Sequence, residues 1–263
     1  YLEMDWLGVQ DRRTYYFWLL GDYEAAIEAH RLATEFDPRD LSPMAFRVPE
    51  YNLSRGHLKE ARREIEAIRA RDPENLMAVP ILVYLDLMEG RFASAEDLIE
   101  ELLSRDPPVK RIPTSNFFSR TALGYVYLKT GRVREGRRLL EMVRDVALDR
   151  IENGAGYAQH YDLARVYAML EDQDQAIHRL QVAIDRGWPF YYTEMGPTDP
   201  MLENLVGNPG FEAVMADLKA ELDVEREWVL EILALPEPER FHAMVMDAEA
   251  RLEVLWEAQG AGS

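Results

Sequence analysis

Acid–base catalysis needs two titratable side chains in one shared pocket with separated pKa values. The histidines and carboxylates of this chain are where such a pair would have to lie. The histidines are His30, His57, His160, His178 and His242. None belongs to an HExxH motif, and no two have the spacing of a metal-binding pair. His160-Tyr161-Asp162 is the nearest approach to a constellation, and it reads as a structural or surface group. Glu24, Glu28 and Glu35, and also Glu96, Glu100 and Glu101, fall on helical stretches, where solvated faces account for them. Asn153-Gly154-Ala155-Gly156 is glycine-rich but lacks the lysine of a phosphate loop and follows no strand. It reads as a connection. Cysteine is absent, which removes disulfides, thiolate metal sites and cysteine nucleophiles together. No catalytic residue, metal site or cofactor is expected, so the chain reads as a binding protein and not an enzyme.

Composition narrows what could be bound. The 263 residues carry a formal net charge of −18, with a pI near 4.7. A chain this acidic repels a phosphate backbone at long range, and no Lys/Arg run interleaved with aromatics is present. Nucleic acid is therefore not an expected partner. The longest apolar stretch, Leu76 to Met88, contains Asp86 and falls short of the roughly 20 residues that span a bilayer, so no transmembrane segment is expected. The chain begins at Tyr1 and reads as a processed or truncated piece.

The elements that would present a binding surface repeat. Gly21-Asp22-Tyr23-Glu24-Ala25-Ala26-Ile27 leads into Ala33 and ends at Asp37-Pro38. Gly56-His57-Leu58-Lys59-Glu60-Ala61 leads into Ile68 and ends at Asp72-Pro73. Gly90-Arg91-Phe92-Ala93-Ser94-Ala95 leads into Leu102 and ends at Asp106-Pro107. The glycines lie 35 and 34 residues apart, as do the Asp-Pro pairs. Each feature has a physical job. The glycine ends a first helix, where a left-handed conformation is often needed. The alanine five residues later lets the paired helices approach closely. The Asp-Pro stops the second helix, because the residue before proline is pushed out of the helical region. Between them, Leu58, Ala61, Ile65 and Ile68 fall on one helical face. A fourth copy follows at Gly131 to Gly136, with Leu140 and Val143 after it. In a fifth, Glu171 takes the place of the turn glycine, followed by Ala176-Ile177, Leu180 and Ala183. Spacing lengthens to 41 and 40 residues at these copies, through short insertions such as Pro107-Pro108 to Pro113.

This pattern resembles the tetratricopeptide repeat. Leu123, Gly124 and Tyr127 match its first-helix signature, and Gly21, Tyr23, Ala26, Ala33 and Pro38 match its second half. The resemblance covers roughly Leu7 to Trp188. It implies an all-α fold: a TPR-like α-solenoid, a right-handed superhelix of about five helix pairs over residues 1–188, with extra C-terminal helices. Pro49 and Pro80 depart from it, because proline inside a helix costs about 3 kcal/mol or forces a kink. Those two first helices are expected to be short, bent or late in starting.

Residues 189–234 are expected to form capping helices. The aromatic run Trp188 to Tyr192 leads into Asp199-Pro200-Met201-Leu202-Glu203-Asn204-Leu205, a short helix with Asp199 as cap and Pro200 at its first position. Asn208-Pro209-Gly210-Phe211 opens another, running to about Ile232 with Phe211, Met215, Leu218, Leu222 and Val229 as its apolar stripe. Asp199 to Leu218 resembles the terminus that follows TPR arrays in bacterial multidomain regulators. That likeness implies a soluble sensory or scaffolding half, in bacterial cytoplasm or periplasm. Pro236 and Pro238 then break the chain before a final amphipathic helix over 235–263, with Phe241, Val245, Ala248, Leu252 and Leu255 on one face.

In TPR arrays the concave surface comes mostly from one face of each first helix. Carried onto this chain, that geometry implies a lining of Arg12 and Tyr15; Phe46, Arg47 and Glu50; Ile81, Tyr84 and Met88; Phe118, Ala122, Tyr125 and Lys129; and Tyr161, Asp162 and Met169. The surface is aromatic and apolar with few charges. Arg12, Arg47 and Lys129 are too dispersed for the carboxylate clamp of some TPR co-chaperones. Aromatic anchors suit the apolar side chains of a partner peptide or helix, or else a small hydrophobic ligand such as a lipid. A non-catalytic interaction or scaffolding module is the first reading, and a hydrophobic-ligand carrier is the alternative.

Overall fold

The computed structural model describes residues 52–53, 56–73, 78–104, 115–154, 157–186 and 198–236, with isolated positions at 25, 239 and 243. Among the described residues every regular element is a helix, and there is no strand. In chain order these are α1 (Leu58–Arg71), α2 (Ala78–Met88), α3 (Phe92–Ser104), α4 (Ser115–Lys129), α5 (Val133–Glu152), α6 (Tyr157–Met169) and α7 (Gln173–Asp185). A 3₁₀-helix (Pro200–Leu205) and α8 (Pro209–Ala234) complete them. The chain divides into two compact units, Leu41–Lys219 and Tyr1–Asp40 with Ala220–Ser263.

Consecutive helices pack as neighbours in the larger unit, α2 with α3, α4 with α5 and α6 with α7 most closely. The turn inside each pair is the same. In all of them the chain ends its first helix with a residue at positive φ: Gly56 at 73°, Gly90 at 70°, Gly131 at 83° and Glu171 at 70°. That residue donates its N–H three residues back, to Leu53, Leu87, Leu128 and Ala168. The next N–H reaches five residues back, to Asn52, Asp86, Tyr127 and Tyr167, at 2.8–3.0 Å. These are the paired bonds of a Schellman cap, and they satisfy carbonyls that the helix end leaves open. Five residues after the turn residue come Ala61, Ala95, Gly136 and Ala176, all buried. Nothing larger fits in the fourth pair: a Cβ on Gly136 would lie 3.0 Å from the Gly124 carbonyl oxygen. The reciprocal approach is tighter still, because a Cβ on Gly124 would meet Leu140 Cδ2 at 2.6 Å.

Pro80 lies within α2, two residues after Ala78, the first of its described residues. Pro49 lies outside the described residues. α2 is buried almost all round, from Leu82 to Leu87 without a break, because it is flanked by α1, α3 and α4. Asp86, in the middle of that run, is fully buried. Its carboxylate accepts hydrogen bonds from Arg62 of α1 (2.7 Å), Arg91 (2.5 and 2.9 Å) and Ser94 of α3 (2.5 Å). One charged side chain thus ties α1, α2 and α3 together.

α6 divides the core. Leu163, Val166 and Met169 join a cluster that runs back through α5, α4, α3 and α2. Tyr161, Ala164 and Ala168 join a second cluster with α7, the 3₁₀-helix and the start of α8. Asp199 caps the 3₁₀-helix through Met201 N–H (2.9 Å), as its sequence position suggests. Asn208 caps α8, accepting from Gly210 N–H (2.9 Å). Phe211, Val214 and Leu218 are buried along α8 in this unit. In the other unit the described part of α8 buries Leu222, Val229 and Ile232. The expected final helix of 235–263 lies outside the described residues apart from isolated positions.

The turn at Glu171 offers a test. A side chain in the left-handed region costs roughly 1–2 kcal/mol that glycine does not. Glu171 also pairs with Arg137 at 2.5 Å, but both side chains are exposed and such pairs are worth little. Glu171→Gly is therefore expected to stabilise the protein by up to about 1 kcal/mol, after allowing for glycine's greater unfolded-state entropy. Urea unfolding midpoints measure it. An unchanged or lower midpoint would mean that the turn is not the strained element.

Candidate functional site

The first helices α2, α4 and α6 do more than pack against their own partners. α2 also contacts α4, and α4 contacts α6, without a second helix between them. Their facing side chains form one continuous strip. The Tyr84 and Phe118 rings lie 6.5 Å apart in a tilted arrangement. The Arg165 guanidinium sits over Phe118 (5.6 Å) and over Tyr161 (4.3 Å), at cation–π distance. Tyr125 meets Phe92 edge-on at 6.1 Å and carries Lys129 Nζ over its ring at 5.3 Å.

The structure places the expected lining residues as follows. Tyr84, Tyr125, Tyr161 and Met169 are buried. Ile81, Met88 and Phe118 are half-buried, and Lys129 is exposed. Ala122 is fully buried, and Asp162 is half-buried. Arg12, Tyr15, Phe46, Arg47 and Glu50 lie outside the described residues, as does the Trp188 to Tyr192 run. The strip thus brings together Tyr84, Phe118 and Tyr161, and Tyr125 beside Lys129.

Two residues central to the strip were not among those expected to line it: Arg165 and Asp199. The Asp199 carboxylate is buried and accepts from Tyr161 Oη (2.8 Å) and from Arg165 Nε and Nη2 (2.7 Å each). Arg165 Nη1 also reaches Asp162 at 3.3 Å. Arg165 is legible as an oddity, a cation inside Leu163-Ala164-Arg165-Val166, but its partner lies 34 residues away. Asp199 is legible only as a helix cap. Its second role needs the 3₁₀-helix to be docked on α6. That docking is firm: Met201, Leu202 and Leu205 are buried. Asn204 donates to the Ala168 carbonyl, and Gln173 Nε2 donates to the Asn204 carbonyl at 2.7 Å. The same segment brings Glu203 to Lys129 at 2.5 Å.

The electrostatics follow from this burial. The Tyr125 phenol is held well above its usual value by burial, then by the charges of Glu203 and Asp199. Burial likewise raises the Tyr161 phenol, with Asp199 adding to the effect. Burial pushes Asp162 up to about 6, although Arg165 pulls the other way. His160 is only 2 % exposed, and neither ring nitrogen has a hydrogen-bond partner. Burial, with the positive charges of Arg186, Arg179 and His178, pushes it down to about 4. The His160-Tyr161-Asp162 triplet does not converge. Tyr161 and Asp162 are engaged by Asp199 and Arg165, while His160 answers to charges on and just after α7. Among the described residues no group of His, Asp and Glu could hold a metal ion, and no helix is long and apolar enough to cross a membrane.

No protein-family model matches the chain, and no curated protein matches it.

Two predictions follow from the buried charges. Asp199→Ala leaves Arg165 buried without its main counter-charge, and removing one partner of a buried pair costs about 3–5 kcal/mol. Guanidinium unfolding should show that loss, with partial recovery in the double variant Asp199→Leu/Arg165→Met. A loss below about 1 kcal/mol, the surface-pair range, would refute the buried pair. The second concerns acid. An unfolded imidazole binds its proton near 6.5, the folded His160 only near 4. Between those values the unfolded chain holds more protons, so this term destabilises the fold as pH falls from 6.5 towards 4. Asp162 has the opposite sign: its folded carboxyl takes up a proton near 6, above the ordinary 3.8, and gains stability over that window. His160→Leu should therefore flatten the acid loss of stability, and Asp162→Asn should steepen it. Denaturation series between these pH values in both variants check the signs.

Proposed function

We propose that the chain is a non-catalytic binding or scaffolding module, a TPR-like α-solenoid that engages a peptide or helix of a partner protein on its first-helix face. The observation that carries this reading is the direct contact of α2 with α4 and of α4 with α6. First helices that touch one another, each with its second helix attached by the same turn, stack into a continuous surface of the kind that repeat proteins use for binding. The Schellman turn at 34-, 41- and 40-residue spacing supports the repeat identity. The engagement of Tyr161, Asp162, Arg165 and Asp199 with one another supports the non-catalytic reading, because their hydrogen-bonding capacity is spent on holding the fold.

Burial refines where a partner would dock. Tyr84, Tyr125 and Tyr161 have already lost their contact with water, so they shape the surface and do not anchor a ligand. Contact falls to the half-buried Ile81, Met88 and Phe118. Arg165 and Lys129 are matched by Asp199 and Glu203, which disfavours an acidic partner terminus there.

Site-specific photo-crosslinking tests the surface. A photoreactive residue at Ile81 or Phe118 should trap one discrete partner protein in cells. The same residue at Glu141, exposed on α5, should not. Equal trapping from all three positions, or none from the first two, would sink the assignment. Native mass spectrometry of the purified protein covers the alternative, since a retained small apolar molecule would favour a hydrophobic-ligand carrier.

A further inference from the structure

The second bond of each turn ends on the carbonyl of a residue four positions before the turn residue, and the side chain at this position changes along the chain. It is Asp86 before Gly90, Tyr127 before Gly131 and Tyr167 before Glu171. Both tyrosines are half-buried and pack against the apolar core. The Tyr127 ring lies under the Arg132 guanidinium at 4.1 Å, and Glu96 of α3 holds that guanidinium at 2.6 and 2.8 Å. One guanidinium thus bridges a ring on α4 to the second helix of the preceding pair. Asp86 brings no ring to the matching place between α2 and α1. Its short carboxylate turns to Arg62, Arg91 and Ser94 instead.

A cleft of about 420 Å³ lies at that place, between α1, α2 and α3. Its size falls within the roughly 300–1,000 Å³ of small-ligand sites. Asp86 lines it together with Leu82, one turn earlier on the same face of α2. Leu98 of α3 adds apolar surface, and so do Ala70 and Pro73 on the α1 side. Leu82 and Leu98 sit eight residues before and after their turn, where the next pair has Leu123 and Leu139. The charges in the lining balance, Arg62 and Arg69 against Glu66 and Asp86, so the cleft favours no ion. The guanidinium groups are also engaged, Arg62 by Asp86 (2.7 Å) and Glu89 (3.0 Å), and Arg69 by Glu101 (2.5 Å). A guanidinium bonded along its edge keeps its planar face for stacking on an aromatic ring, as Arg132 stacks on Tyr127.

We propose that the cleft between α1, α2 and α3 is a binding site for an uncharged aromatic ring of another molecule, which takes the place that Tyr127 fills one pair later. The ring packs on Leu82 and Leu98 and stacks beneath the guanidinium faces of Arg62 and Arg69. A free aromatic compound and an aromatic side chain of a partner segment both carry this chemistry. The cleft has second helices for two of its walls, so its test stands apart from crosslinking at Ile81 and Phe118.

Methyl NMR of the leucine-labelled full chain reads the site directly, because a bound ring shifts the methyl groups it touches. The probe is 4-methylphenol, with 4-methylcyclohexanol as the non-aromatic control. Leu82 and Leu98 methyls should move upfield with a Kd on the order of 1 mM, as befits a ligand of so few atoms. Leu123 and Leu139, beside the place that Tyr127 already fills, should stay still. Ala70→Trp, a change at an exposed rim position, puts a ring into the cleft from within and should weaken binding at least about tenfold. Asp145→Trp, at the matching exposed position of α5, should change nothing. N-acetyltyrosinamide distinguishes the sources: tighter binding than 4-methylphenol assigns the ring to a partner segment, and weaker binding assigns it to a free compound. The site is overturned by still methyls at Leu82 and Leu98, by equal affinity for 4-methylcyclohexanol, or by a response undiminished in Ala70→Trp.

Discussion

Each described helix pair depends on the same backbone event, a first helix that ends in a left-handed residue. That one conformation reverses the chain, closes two carbonyls of the first helix and aims the second helix back along it. Everything downstream inherits its geometry. The small residue five positions later is buried because the turn delivers it onto the first helix. The distances at Gly124 and Gly136 leave no room for larger groups. The turn works even where its residue is unsuited to it. Glu171 holds a φ of 70°, and its N–H groups make the same bonds as the glycines. Packing of α6 on α7 is strong enough to hold a strained residue in place.

Among the described residues two carboxylates are buried, Asp86 and Asp199. Asp86 joins α1, α2 and α3, and Asp199 joins the 3₁₀-helix to α6. A buried carboxylate is costly to desolvate, and only matched donors make it tolerable. Such hubs contribute less net stability than their number of bonds suggests, but they penalise any other register of the helices that supply the donors. The apolar contacts of Met201, Leu202 and Leu205 supply the larger share of the holding energy, at about 1.5–3 kcal/mol for each fully buried side chain. A segment held by that much burial is a fixed wall of the unit and not a strap that opens.

This wall bears on the first-helix face. Aromatic residues on a repeat's inner face suggest anchors waiting for a ligand. Among the described residues Tyr84, Tyr125 and Tyr161 are buried by packing, with Tyr161 bonded to Asp199, while Ile81, Met88 and Phe118 are half-buried. The net charge of −18 is similarly uneven in its effects. Among the described residues, carboxylates pair with Arg62, Arg69, Arg91, Arg132, Arg137, Arg144, Arg165 and Arg226.

The repeat was legible because its signals are local. Glycine at a helix end, a small residue five positions on and helical spacing of apolar residues all act within a few turns of chain, so Gly56, Gly90, Gly131 and even Glu171 could be placed as turns before any coordinates. The cap at Asp199 and the stripe along α8 were legible for the same reason. What only the tertiary structure decided is which charges meet. Arg165 finds Asp199, Asp86 collects Arg62 and Ser94, and Tyr84, Tyr125 and Tyr161 are buried, because helices far apart in sequence come into contact. Sequence periodicity records which face of a helix is apolar, but it does not record what that face will touch, and burial and charge pairing depend on the touch.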